Sequence, residues 1–166
     1  EEGSALDHVL AFHSLSKRSS AAGIRSGFCV GETSLIQTFL NLRSFSGAAS
    51  PLPVCAAAAA LWNDDAHVKE NRALYRAKFD MAEEIFGTNF GFYRPEGGFF
   101  LWLDVGDGVE AAKRLWTGAA IRVLPGRYLS VAGADGINPG DPYIRVALVA
   151  EPENSKEALS RLANSL

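Results

Sequence analysis

The sequence predicts an α/β fold, and three observations carry the prediction. Short apolar runs bounded by Gly, Ser, Asp and Pro occur near both ends of the chain, as buried strands do. One long amphipathic stripe separates them, and beyond it strand-like and helix-like segments alternate. This divides the chain into residues 1–66, a linking helix over 67–87 and a small α/β unit over 88–166.

Residues 8–13 and 26–31 are apolar and are expected as buried strands, joined by a Ser-rich connection that carries Lys17. Residues 33–42 have helical character, residues 44–53 are rich in Ser, Gly and Pro and read as a loop, and 54–62 is an Ala-rich helix. Ala56 to Ala60 offer a surface for close helix packing. In the segment 67–86, Val68, Tyr75, Phe79, Ala82 and Phe86 recur at helical steps, and Gly87 ends the helix. After the Gly97-Gly98 turn, residues 99–105 form a strand whose aromatics Phe99, Phe100 and Trp102 are expected in the core. Asp107 with Glu110 reads as an N-cap and capping-box partner for a helix carrying Ala111, Leu115 and Trp116. Residues 121–124 are the next strand, 132–142 a loop and 143–150 another strand. Asn154 with Glu157 is expected to cap the final helix.

Composition narrows the function. The chain has 166 residues, is 48% hydrophobic and 21% charged, and carries a net charge of -3. That balance suits a globular protein and gives no basic surface for nucleic acid or anionic lipid, so a small-molecule partner is expected. Cys29 and Cys55 lack CxxC spacing and are expected to be buried reduced thiols, which suits a cytoplasmic protein. His8, His13 and His67 lack metal-ligand spacing, so no metal is expected. No apolar segment is long enough for a membrane helix, and the start, Glu1-Glu2-Gly3-Ser4, has neither a Met nor a signal-peptide pattern, so a fragment of a longer protein is expected.

The chemistry gathers around Lys17. His13-Ser14-Leu15-Ser16-Lys17 leaves one strand, and Gly23-Ile24-Arg25-Ser26-Gly27 leads into the next, putting a lysine and an arginine at strand ends, where open α/β sheets bind ligands. Two neighbouring cations repel unless an anion lies between them, and the hydroxyls of Ser14 and Ser16 suit a phosphate. An isolated Lys/Arg pair is more often surface than site; the spacing argues otherwise here.

Ser-x-Ser-Lys followed by Gly-x-Arg-x-Gly resembles the cofactor-lysine signature of class I/II aminotransferases of fold type I. The resemblance implies that Lys17 carries pyridoxal 5'-phosphate and moves a proton at the substrate α-carbon, with Ser14 and Arg25 holding the phosphate; Ser16 is a further cofactor-binding candidate or a simple turn former. Ser26 departs from the signature, which has an aliphatic residue or alanine there. Ser16-Lys17-Arg18-Ser19, Arg25-Ser26-Gly27-Phe28 and Trp62-Asn63-Asp64-Asp65-Ala66-His67-Val68 look like the succinyldiaminopimelate aminotransferase branch. Gly97-Gly98-Phe99-Phe100-Leu101-Trp102 and Val123-Leu124-Pro125-Gly126 extend the likeness. Tyr143-Ile144-Arg145-Val146 is similar to the strand whose arginine holds the substrate carboxylate, a pairing that suits a planar guanidinium.

On this resemblance, residues 1–66 are the C-terminal portion of the cofactor-binding large domain and 88–166 the small domain. The implied reaction moves an amino group between N-succinyl-L,L-2,6-diaminopimelate and 2-oxoglutarate in lysine and diaminopimelate biosynthesis, in a homodimer. A related aminotransferase for another amino acid, or a silent module used for dimerisation or effector binding, are the alternatives. Family members supply an Asp for the cofactor ring nitrogen and a ring-stacking aromatic upstream of the lysine strand, and neither can be placed in this chain. Arg43-Ser44-Phe45-Ser46-Gly47-Ala48 stands where the branch has a Tyr-His-Gly loop, which bears on the substrate more than on the reaction.

Overall fold

The computed structural model describes residues 6–47 and 49–166, which fall into two compact units, one ending at Glu70 and the other spanning Asn71–Leu166. The division falls within the long helix.

In the first unit, β1 (Leu10–Ser14) and β2 (Gly27–Gly31) form an antiparallel pair in which Phe12 faces Cys29 and Ser14 faces Gly27. Between them lies α1 (Leu15–Arg18), a single turn entered through fully buried Leu15. The expected burial of these strands does not hold: Phe12 is 66% and Phe28 45% exposed. Two strands cannot cover both their faces, so apolar side chains remain in solvent. Cys29 is half-buried and Cys55 exposed, both as free thiols, so their expected burial does not hold either.

Helix α2 (Thr33–Ser46) runs further than the sequence suggests, taking Ser44 and Ser46 from the expected loop. Their hydroxyls donate to the carbonyls of Asn41 and Leu42, a local bond that lets serine sit inside a helix. Helix α3 (Leu52–Asn63) starts early because Pro53, in its first turn, has no N–H to lose there. Of Ala56 to Ala60 only Ala58 is buried, so the expected packing surface is largely open. Helix α4 (Ala66–Phe86) is the predicted long helix; Val68, Phe79, Ala82 and Phe86 are buried and Gly87 follows with φ +55°.

The second unit is a three-stranded antiparallel sheet, order β3-β5-β4, packed with helices: β3 (Phe100–Asp104), α5 (Gly108–Ala119), β4 (Leu124–Pro125), β5 (Tyr143–Ala147) and α6 (Pro152–Ser165). Its core is formed by Leu101, Leu103, Ile144, Val146, Leu115, Leu159 and Phe86 among others. Alternation along β3 therefore buries the leucines, while Phe100 and Trp102 lie half-buried on the opposite face, the reverse of the expected arrangement.

Asp107 caps α5 as predicted, its Oδ1 accepting from the amides of Val109 and Glu110 at 3.0 Å, whereas Glu110 pairs with Lys113. The strand expected over 121–124 shrinks to Leu124–Pro125. Ala120 is left-handed at φ 52° and the Ile121 N–H closes the end of α5 on Leu115 O, so that backbone is committed to the helix while the Ile121 side chain still enters the core. Helix α6 begins at Pro152 with Glu151 as N-cap, three residues before the expected cap, because Pro152 is pre-set for the first helical position.

Candidate active site

Ser14 ends β1 and caps α1, its Oγ accepting from the Ser16 amide at 3.1 Å, which leaves the hydroxyl proton available to a ligand. Arg25 precedes β2 in the left-handed region at φ 55°, a conformation costing about 1 kcal/mol or more for a residue with a Cβ. Its Nη1 donates to Ala22 O at 2.9 Å. Register brings the two together: Ser14 pairs with Gly27, two residues from Arg25. Both line one cleft of about 460 Å³ with Phe12, Phe28, Phe39 and Arg43. A hydroxyl donor and guanidinium groups on an open cleft form a donor set that fits a phosphate monoester.

Lys17 is exposed in α1, between buried Leu15 and half-buried Arg18. Neither Lys17 nor Ser16, which is half-buried, lines the cleft that holds Ser14 and Arg25. The structure thus joins two of the predicted phosphate residues directly and sets the lysine on the adjoining turn.

The sequence motif did not reveal how that turn is held. Arg18 Nη1 donates to Leu61 O at 2.7 Å, and its Nη2 reaches Asp65 Oδ1 at 2.6 Å and the carbonyls of Trp62 and Asp64. The guanidinium also lies 4.9 Å from the Trp62 ring centroid. His67 bridges Asp64 Oδ2 at 2.8 Å and Ser19 Oγ at 2.9 Å. The His67 contact, then the Ala66 amide, hold the Asp64 carboxyl below the usual aspartate range. The one sequence signal for this cluster is the pair of motifs at 16–19 and 62–68, which are remote in sequence and meet only on folding.

In the second unit, Arg145 sits mid-strand in β5, opposite Trp102 on one side and Leu124 on the other. It is half-buried with its guanidinium 4.3 Å from the Phe100 ring centroid. Among the described residues it forms no ion pair, so the internal carboxylate partner that a sheltered arginine would need is not supplied by them. Trp102 stacks on Tyr143, with centroids 5.3 Å apart, and forms an aromatic wall beside it. The turn that follows β4 is fastened by Asn138, whose Oδ1 accepts from the Gly140 amide at 2.9 Å and whose Nδ2 donates to Arg127 O at 3.2 Å.

No group of His, Cys, Asp and Glu side chains suited to a metal ion occurs among the described residues. None of their helices is long and apolar enough to cross a membrane.

Comparison with known proteins gives these features a context. Residues 2–162 match the pattern of the family described as aminotransferase class I and II. The chain is 37% identical to 4-dedimethylamino-4-oxo-anhydrotetracycline transaminase OxyQ of Streptomyces rimosus, over 96% of this chain and 43% of that protein. It is 28% identical to LL-diaminopimelate aminotransferase of Maridesulfovibrio salexigens, over 98% of this chain and 42% of that protein. An aminotransferase structure from Neisseria meningitidis superposes with a TM-score of 0.89 at 41% identity, covering 96% of this chain and 41% of the other. The chain therefore spans about two-fifths of the length of the relatives it matches.

Proposed function

Because the chain belongs to the class I and II aminotransferases, a pyridoxal-phosphate-dependent family, we propose that the whole protein is a transaminase in which Lys17 is the cofactor lysine. On this reading residues 1–66 belong to the cofactor-binding large domain, 67–87 link the domains and 88–166 form the small domain. The observation that carries it is the common cleft of Ser14 and Arg25 beside the Lys17 turn.

Ser14 and Arg25 would hold the cofactor phosphate, Ser14 by its hydroxyl proton and Arg25 by charge and paired N–H groups; Ser16, whose amide caps on Ser14, supports that turn. The bound cofactor supplies an electron sink for the substrate α-carbon. Lys17 Nζ would carry the proton away from the α-carbon of the amino donor and, in the return half-reaction, deliver one to the α-carbon of the oxo acid. Arg145 binds the substrate carboxylate through two parallel N–H donors, and Phe100 and Trp102 shield that pair from water. The partners are an amino acid and a 2-oxo acid. A homodimer in the cytoplasm completes the proposal.

For substrate we propose N-succinyl-L,L-2,6-diaminopimelate with 2-oxoglutarate, supported by the residue patterns at 16–19, 25–28 and 62–68. A second reading, a different amino donor, is favoured by the relatives, one a 4-dedimethylamino-4-oxo-anhydrotetracycline transaminase and another an LL-diaminopimelate aminotransferase. Phe45 in place of the branch's polar loop also favours it; Ala48 of that loop lies outside the described residues.

The test is a steady-state comparison of amino donors with 2-oxoglutarate in the whole protein and its Lys17→Ala variant. The succinylated donor should have the highest kcat/KM, and Lys17→Ala should abolish turnover with every donor. Equal rates in Lys17→Ala and wild type would refute the lysine assignment, and a higher kcat/KM for an unsuccinylated donor would establish the second reading.

A further inference from the structure

A single helical turn has no stability of its own, because fixing it costs more chain entropy than its one or two hydrogen bonds return. The position of α1 must therefore be set by what ties it down at each end. At its start, Leu15 is fully buried and its N–H donates to Ser26 O at 3.1 Å, tying the turn to the segment before β2. At its end, the ties are Arg18 and Ser19. Arg18 spreads both terminal nitrogens over the last carbonyls of α3 and the Asp65 carboxylate, with its side chain only 20% exposed. Ser19 Oγ accepts from Arg18 Nη1 at 3.2 Å and meets His67 Nε2 at 2.9 Å, while His67 Nδ1 is held by Asp64. Carbonyls at a helix C-terminus carry partial negative charge and lack helical partners, so a guanidinium suits them in number and in sign.

The geometry points to Arg18 as the positioning residue for Lys17, acting with Asp65, Ser19 and His67 as a clasp that fastens the lysine turn to the junction of α3 and α4. This inference rests on the reading of Lys17 as the cofactor lysine, and it adds what places that lysine. The clasp spans residues 18 to 67 and lies wholly within the first unit. Arg18 is not catalytic. Its fork geometry matters, because an ammonium cannot reach Leu61 O, Trp62 O and Asp65 together.

The experiment uses the whole protein with Arg18→Met, Arg18→Lys, and a gentler pair, Asp65→Asn with His67→Asn, that leaves Arg18 and its carbonyl contacts in place. Amide hydrogen exchange is measured over residues 15–21 without cofactor. Pyridoxal phosphate is then titrated by absorbance, and the pH at which the bound cofactor's absorption changes is recorded. Arg18→Met should speed exchange over 15–21 by roughly tenfold, weaken pyridoxal phosphate binding by a similar factor and move the spectroscopic midpoint by about half a unit. Arg18→Lys should recover part of the loss, and the Asp65/His67 variant should show smaller changes of the same kind. Should Arg18→Met fail to fold, the Asp65/His67 variant decides alone. Exchange over 15–21 within twofold of wild type in every folded variant would overturn the clasp. Loss of cofactor affinity with unchanged exchange would overturn it equally, because Arg18 would then act on the cofactor directly. Absence of any pyridoxal phosphate binding in the wild type would instead remove the functional reading, while exchange would still test the clasp.

Discussion

Replacing Gly126 by alanine should destabilise the second unit, whereas the same replacement at Gly118 should stabilise it. A Cβ built on Gly126 would lie 2.6 Å from Gly140 O and 2.8 Å from Trp102 Cη2. Those separations are shorter than a favourable carbon contact by roughly 0.7–1 Å. Neither neighbour yields easily: one is backbone held through the Asn138 bond to Gly140, and the other is a ring stacked on Tyr143. Overpacking of this kind costs about 1–3 kcal/mol. For a unit on the order of 100 residues, each kcal/mol lowers the midpoint of thermal unfolding by about 4–8 °C. Gly118, by contrast, lies inside α5 with nothing within 4 Å of the added carbon. Alanine there restricts the unfolded chain and favours helix by up to about 1 kcal/mol, less so close to the helix end. Calorimetry of the two variants beside wild type measures both signs at once. Because Trp102 faces Arg145 in register, Gly126→Ala should also weaken amino-donor binding in the whole protein, and Gly118→Ala should not. A Gly126→Ala protein that melts at or above the wild-type temperature would refute the reasoning.

Arg145→Gln keeps a planar donor and removes the charge; since charged hydrogen bonds contribute about 1.5–3 kcal/mol, KM for the amino donor should rise roughly tenfold to a hundredfold. Pyridoxal phosphate affinity should stay at the wild-type value in the same titration, and a change there with unchanged KM would contradict the assignment. Asp64 has its folded pKa lowered, chiefly by the His67 contact, so its stabilising effect is complete above the ordinary aspartate value of about 3.9 and is lost as pH falls through the lowered value. Asp64→Asn should therefore melt below wild type near neutral pH, with the gap closing on acidification below about pH 4; a gap independent of pH would count against the link.

What the sequence determined by itself was whatever is encoded between near neighbours. The stripe from Val68 to Phe86 specifies α4, and Asp107 announces α5 because a cap bonds to amides two and three residues away. The spacing of Ser14, Lys17 and Arg25 is also local, and it sufficed to suggest a phosphate site. Only tertiary structure decided what depends on distant partners. Alternation in β3 allowed either face to be core, and packing against Phe86, Leu115 and Leu159 chose Leu101 and Leu103 over the aromatics. The strand expected at 121–124 yielded most of its length because closing α5 took the Ile121 amide first. Arg145 gained its place between Trp102 and Leu124 only through strand order. Arg18 was only one letter of the 16–19 pattern until α3 delivered Leu61 O and Trp62 O to it, together with Asp65, across more than forty residues of chain. Periodicity and capping act over a few residues, whereas burial and ion pairing are settled by whichever groups the fold brings into reach.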